Sequence, residues 1–165
     1  MMIIDENLEA IRSIYLDILA RTPPVGSRPK FSTDPQVYLE TDTGKTINPS
    51  RSTSKYTIFS IGHDVKRTAI LRSRTFRRYE TVGAYTDDTR LLGVKIGEIL
   101  LFGPNKTTSE DKHLRSKYLP GWHQIDSPAS RWTNGAACLS LNESCNHFSR
   151  ILAVEITETG QYAID

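Results

Sequence analysis

Residues 91–101 read Leu91-Leu92-Gly93-Val94-Lys95-Ile96-Gly97-Glu98-Ile99-Leu100-Leu101, the longest apolar run in the chain. Leu92, Val94, Ile96 and Leu100 share one parity, and Lys95 and Gly97 take the other. A period of two is that of a strand buried on one face. A helix is disfavoured here, because a glycine in a helix interior costs about 1 kcal/mol relative to alanine. The preceding Thr86-Asp87-Asp88-Thr89 reads as a turn, since short polar side chains hydrogen-bond their own backbone. The stretch is the expected central strand of an all-β core.

Outward from this strand, short strand patterns recur. Residues 36–40 are followed by the hairpin turn Asp42-Thr43-Gly44 and a return at 45–47. Residues 55–61 alternate, Gly62-His63-Asp64 turns, and 67–74 alternate again, with Ala69 and Leu71 opposite Arg72 and Arg74 in parity. Gly103-Pro104-Asn105-Lys106 breaks the chain, and 107–117 read as a loop with a helical turn at 109–115. Asn134-Gly135 predicts a type I′ turn, because both residues tolerate positive φ. Strands are expected at 136–141, 151–157 and 161–164. Short strands with turns between them favour a β-sandwich or jelly-roll-like architecture over a parallel sheet.

One N-terminal amphipathic helix precedes the strands, over residues 5–21. Leu8, Ile11, Tyr15, Ile18 and Leu19 form its apolar stripe, and Thr22-Pro23-Pro24 stops it. The stripe is expected to pack on the sheet, with docking on a neighbouring domain or subunit as the alternative. The expected division is an N-terminal helix and connector at 1–24 and a β-sandwich domain at 25–165.

The chain of 165 residues has the size of one domain, with 38% hydrophobic and 24% charged residues, as in an ordinary globular protein. A net charge of +2 is low for a dedicated nucleic-acid binder. No apolar window reaches the roughly 18 residues of a membrane span. Met1-Met2-Ile3-Ile4-Asp5-Glu6 has neither the basic start nor the apolar run of a signal peptide. The expected location is therefore the cytoplasm, or outside by a signal-independent route. Cys138 and Cys145 could close a hairpin disulfide but are expected as free thiols.

Candidate chemistry is sparse. His63, His113, His123 and His147 fit no metal-ligand spacing, so no metal is expected. No phosphate loop, dinucleotide fingerprint or nucleophile elbow occurs, so no cofactor is expected. Asp87 or Asp88 with Glu98 could hydrolyse glycosides as paired carboxylates. The plainer reading of Asp87-Asp88 is an Asx turn paired to Arg90. Lys66, Arg67, Arg72, Arg74, Arg77 and Arg78, with Phe76 and Tyr79 among them, could hold phosphates and stack bases. The balanced charge favours a solvated strand face instead. Tyr118, Trp122 and Trp132, with His123, could stack on sugars, although tryptophan in a small β-domain is usually a core anchor.

Three segments carry a family resemblance: Asp87-Asp88-Thr89-Arg90-Leu91-Leu92-Gly93-Val94, Gly121-Trp122-His123, and Arg131-Trp132-Thr133-Asn134-Gly135-Ala136-Ala137. Together they resemble the C-terminal β-rich domain that follows a Hedgehog/intein-type (Hint) domain in bacterial proteins. That domain has a D-D-R-R-L-G-V-like strand start, a G-W-H and an R-W-T-D/N-G turn. The leading helix, residues 39–74 and residues 152–164 fit its pattern. Similar G-W…W-T-D-G segments end glycan-related bacterial proteins. A Hint domain itself needs an opening Cys or Ser and a T-x-x-H element. Neither opens this chain, and Cys145-Asn146-His147 lies in a loop. The resemblance thus implies the companion domain without the chemistry, and no catalytic residue is carried over. For Asp87, Asp88, Arg90, Trp122, His123, Arg131, Trp132, Asn134 and Gly135 it implies structural roles: acid–arginine pairing, tryptophan anchoring and a tight turn. The expected function is a non-catalytic accessory or interaction module with a protein or glycan partner. The alternatives are a carbohydrate-binding module using Tyr118, Trp122, His123 and Trp132, and a glycan hydrolase using Asp87 or Asp88 with Glu98. Oligomeric state is left open.

Overall fold

The computed structural model describes residues 3–21, 29–65, 67–78, 87–141 and 148–164, with the backbone alone at 3–7 and 19. The chain runs α1 (Ile3–Arg21), β1 (Lys30–Ser32), β2 (Tyr38–Thr41), β3 (Thr46–Ile47), β4 (Arg51–Ser52), β5 (Tyr56–Ile61) and β6 (Thr68–Arg72). It continues through β7 (Lys95–Phe102), β8 (Thr107–Ser109), α2 (Lys112–Arg115), β9 (Arg131–Trp132), β10 (Ala136–Ser140), β11 (Arg150–Glu158) and β12 (Tyr162–Ile164). A four-stranded sheet has the order β10-β6-β2-β3. A six-stranded sheet has the order β4-β5-β11-β7-β8, with β9 also on β7. β1 and β12 form a separate two-stranded sheet. Every described pairing is antiparallel.

One hydrophobic core joins the two larger sheets. Leu39, Leu71 and Leu139 enter it from the smaller sheet, and Phe59, Ile96, Ile99, Leu152 and Val154 from the larger. Two antiparallel sheets facing each other across one core make an all-β sandwich.

The strand that organises the fold does not keep its parity. Ile96 pairs with Ile156 and Ile99 with Val154, so Gly97 and Glu98 together oppose Glu155. That two-against-one count is a β-bulge. Ile96 points to the core before it, whereas Ile99 and Leu101 do so after it. Leu100, expected on the face of Ile96, is only half-buried on the other face. The Glu98 N–H, freed from the ladder, donates to Glu155 Oε2 at 2.8 Å. Glycine at 97 leaves room for this carboxylate, since a Cβ there would lie 2.6 Å from Glu155 Oε2 and 2.9 Å from Thr157 Cγ2 and would force those side chains to shift.

The turns divide into two kinds. Asp42-Thr43-Gly44 closes the expected β2–β3 hairpin, with Thr41 N–H donating to Lys45 O at 2.8 Å and Gly44 at φ +84°. Asn134-Gly135 corrects its expectation. β9 and β10 lie in different sheets, so this is a corner between sheets and closes no hairpin. Type I′ needs positive φ at both central residues, and only Gly135, at +94°, has it. The Asn134 side chain holds the corner by accepting the Ala136 N–H at 3.0 Å.

The helix departs from the favoured reading. Among the described residues α1 packs along no strand. Ile11 is 49% and Ile14 60% exposed. The reason is that each of the two large sheets already has its apolar face covered by the other. The short α2 is the helical turn expected within 109–115.

Candidate functional site

The motif residues meet at one end of the sandwich, where β9 lies against β7 with Ile96 opposite Arg131 and Lys95 opposite Trp132. Arg131 points inward and is 1% exposed. Its guanidinium donates to the carbonyls of His113 (3.0 Å), Ser116 (2.7 Å), Lys117 (3.1 Å) and His123. Among the described residues no carboxylate pairs with it. Burial holds its pKa below the ordinary arginine value, yet arginine stays charged. One cation thus gathers carbonyls of α2 and of the loop between α2 and β9.

That loop carries Gly121-Trp122-His123. Trp122 and Thr133 form an isolated bridge, and His123 N–H donates to Trp132 O at 3.0 Å. The Trp122 indole is 8% exposed and donates to Cys138 O at 2.9 Å. It lies on the His113 ring, 4.8 Å between centroids. His113, buried on α2, donates Nε2–H to Gly97 O at 2.6 Å and so ties the loop to the bulge of β7. Its Nδ1 is buried and has no hydrogen-bond partner among the described residues. Desolvation pushes the His113 pKa down and nearby Arg131 adds to this, while Gly97 O and Asp111 oppose it. His123 donates Nε2–H to Leu91 O at 2.6 Å.

Outside this framework lies a groove of about 370 Å³, lined among others by Tyr118, Trp122, His123, Gln124 and Arg131. Tyr118 is 85% exposed, with Lys117 Nζ 5.5 Å from its ring centroid. Three of the four aromatic and histidine candidates therefore share one groove. Trp132 does not. It is 2% exposed in a cluster with Phe76, Leu92 and Tyr162, with Phe76 edge-on at 5.8 Å. Arg78 and Lys95 lie over it at 5.6 and 5.9 Å. Both indoles are buried, which is the plainer of the two readings of the tryptophans, and Tyr118 is the exposed ring.

The carboxylates are held apart in role. Arg90 grips Asp88 through two bonds of 3.0 Å, and its backbone N–H adds a third at 3.2 Å. The Arg90 hydrogen bond is the main reason the Asp88 pKa is lowered. Asp87 is exposed. Glu98 sits on the outer face of β7, accepting the Tyr56 hydroxyl and lying 3.8 Å from Lys55 Nζ. The two acids have no common partner among the described residues. A general acid would also need a raised pKa, the opposite of what Arg90 does to Asp88.

The basic segment is likewise engaged. Arg72 pairs with Glu40 at 2.9 Å, Arg74 donates to Asp34 O, and Arg78 lies 3.9 Å from both Asp88 and Glu158. Phe76 is buried and offers no stacking face; Lys66 and Tyr79 lie outside the described residues. So do Cys145 and His147, while Cys138 is a half-buried free thiol. No cluster of metal-ligating side chains occurs among the described residues. No described helix is long and apolar enough to cross a membrane.

Compared with known families, curated proteins and solved structures, the chain finds no match. The geometry also contains features that the sequence patterns passed over. The carbonyl clamp of Arg131 and the buried His113 leave no signal in spacing or composition. Their partners are backbone atoms, which every residue carries.

Proposed function

We propose that this protein is a non-catalytic β-sandwich module that recognises a partner at the groove beside Tyr118, and that it is related to the β-rich domain accompanying bacterial Hint domains. The observation that carries this reading is the division of labour within the motif. Arg131, Trp122, Asp88 and Arg90 are committed to backbone carbonyls or to one another. Among the described residues, Tyr118 is the candidate aromatic that stands open to solvent, whereas Phe76, Trp122 and Trp132 are buried. Groups tied into loop construction are poorly placed to exchange protons with a substrate.

A carbohydrate is the second reading. An exposed tyrosine ring beside Gln124 and His123 offers a stacking face and hydrogen-bonding groups in one groove. A panel of soluble glycans tests both, with tryptophan emission reporting binding at Trp122 and reducing-end release reporting hydrolysis. The expected result is no release. Binding that disappears in Tyr118→Ala would favour the carbohydrate reading, and turnover of any glycan would overturn the non-catalytic one. Tyr118→Ala itself should change stability by less than about 0.5 kcal/mol, as usual for an exposed site.

A further inference from the structure

The groove beside Tyr118 is one-sided in charge. Lys117 and Arg131 line it, and among the described residues no carboxylate does. The acids closest to it in the chain are already engaged: Asp111 pairs with Arg115, and Asp126 lies 3.9 Å from Arg90. Arg131 is the unusual member, because it is 1% exposed and its charge meets only carbonyl dipoles. Dipoles solvate a charge without cancelling it. A guanidinium has five N–H groups. Four of them serve the carbonyls of His113, Ser116, Lys117 and His123, and the second N–H of Nη2 has no partner among the described residues. A buried cation without a counterion makes the potential of the groove it borders positive.

The rest of the groove specifies what carries the anion. The neighbouring strand β10 has no open edge at its centre: Cys138 N–H donates to Pro120 O at 3.0 Å, and Cys138 O accepts the Trp122 indole N–H at 2.9 Å. A peptide therefore finds no strand there to extend. What the groove offers instead is a ring face with polar groups around it. Tyr118 is 85% exposed, and His123 and Gln124 lie beside it. The negative face of such a ring receives the C–H groups of a pyranose, and an amide and an imidazole suit its hydroxyls. Lys117 Nζ stands 5.5 Å from the Tyr118 centroid, within reach of a substituent on a sugar stacked there. We propose that the groove, taken as the binding face as above, selects an acidic saccharide whose pyranose rests on Tyr118 and whose carboxylate faces Lys117 and the field of Arg131. A neutral saccharide keeps the stacking and forgoes the charge.

Isothermal titration calorimetry of the full chain is the test, with oligogalacturonate, oligoglucuronate and oligomannuronate as probes, each beside its carboxyl-reduced neutral form. At least one acidic oligomer should bind about tenfold or more tighter than its reduced form at low salt, and the gap should narrow as salt rises. Lys117→Gln should lose most of that preference and keep the affinity for the neutral form, whereas Tyr118→Ala should lose both. Both side chains are exposed, so thermal melting of the two variants should match that of the natural protein. Equal binding of an acidic oligomer and its reduced form would overturn acid selection and leave the groove reading standing. Acidic binding that survives both variants would overturn the groove reading as well. Binding of no acidic saccharide would also overturn the proposal, and a poly-glutamate peptide held through Lys117 and Tyr118 would then show the groove in use by a protein.

Discussion

Replacing Arg131 by methionine should be among the most damaging single changes in this domain. The substitution keeps an unbranched side chain of comparable bulk and deletes the donors. Four carbonyls, of His113, Ser116, Lys117 and His123, then lose their partner. A buried group left unsatisfied costs about 1–3 kcal/mol. At the low end of that range, four such groups amount to roughly 4 kcal/mol. Water can reach some of them, because Lys117 borders the groove. Removing a buried cation also returns part of its desolvation cost. We therefore expect a loss of about 3 kcal/mol. For a domain of this size that lowers Tm by roughly 6–12 °C. Scanning calorimetry measures it, and limited proteolysis across residues 113–123 locates it. Arg131→Lys should behave similarly, since one ammonium cannot span four carbonyls arranged for a planar fork. A Tm within about 2 °C of the natural protein for Arg131→Met would refute the clamp as a source of stability.

Other outcomes follow from neighbouring geometry. His113 is buried with a depressed pKa, so the unfolded chain binds its proton more readily. Stability should fall as pH drops below the unfolded value of about 6.5 toward the depressed folded value, and His113→Phe should flatten that slope in urea unfolding. Asp88→Asn should cost about 1 kcal/mol at neutral pH by removing the Arg90 pair. Because the Asp88 pKa is lowered on folding, this gap should close as pH falls through the folded carboxyl pKa; denaturant titrations at several pH values would show it. Gly121 has φ +83°, and a Cβ there would lie 1.8 Å from Ala136 O. Gly121→Ala should therefore cost about 3 kcal/mol or more, read as lost thermal stability or failure to fold.

What the sequence made legible was whatever depends on local periodicity. Alternation at 55–61 and 67–74 marks β5 and β6, and Asp42-Thr43-Gly44 marks a hairpin, because each is decided by neighbours in the chain. The parity of β7 changes after Ile96, where the apolar alternation carries no sign of it, because a bulge adds a residue without changing composition. Gly97 was the available sign, and glycine within a strand does point to a bulge or a close approach. Asn134-Gly135 misleads for a related reason. The dipeptide signals a tight reversal, but whether its flanking strands pair with each other is a question of topology. At the site, Trp122 stands out in the sequence because the chain has only two tryptophans, and Tyr118 and His123 lie close to it in the chain. The separation of Trp132 from them depends on which sheet face it occupies, and β9 is too short to display a period.

The pairing of β11 with both β5 and β7 has a kinetic side. β5 lies early in the chain and β11 near its end, and β11 separates β5 from β7 in the sheet. Neither neighbour can complete its ladder until the last long strand arrives, so the slow closure of large loops stands before the larger sheet. Folding should wait on β11. Its amides, and those of β7 beside it, should exchange with solvent only when the entire domain opens.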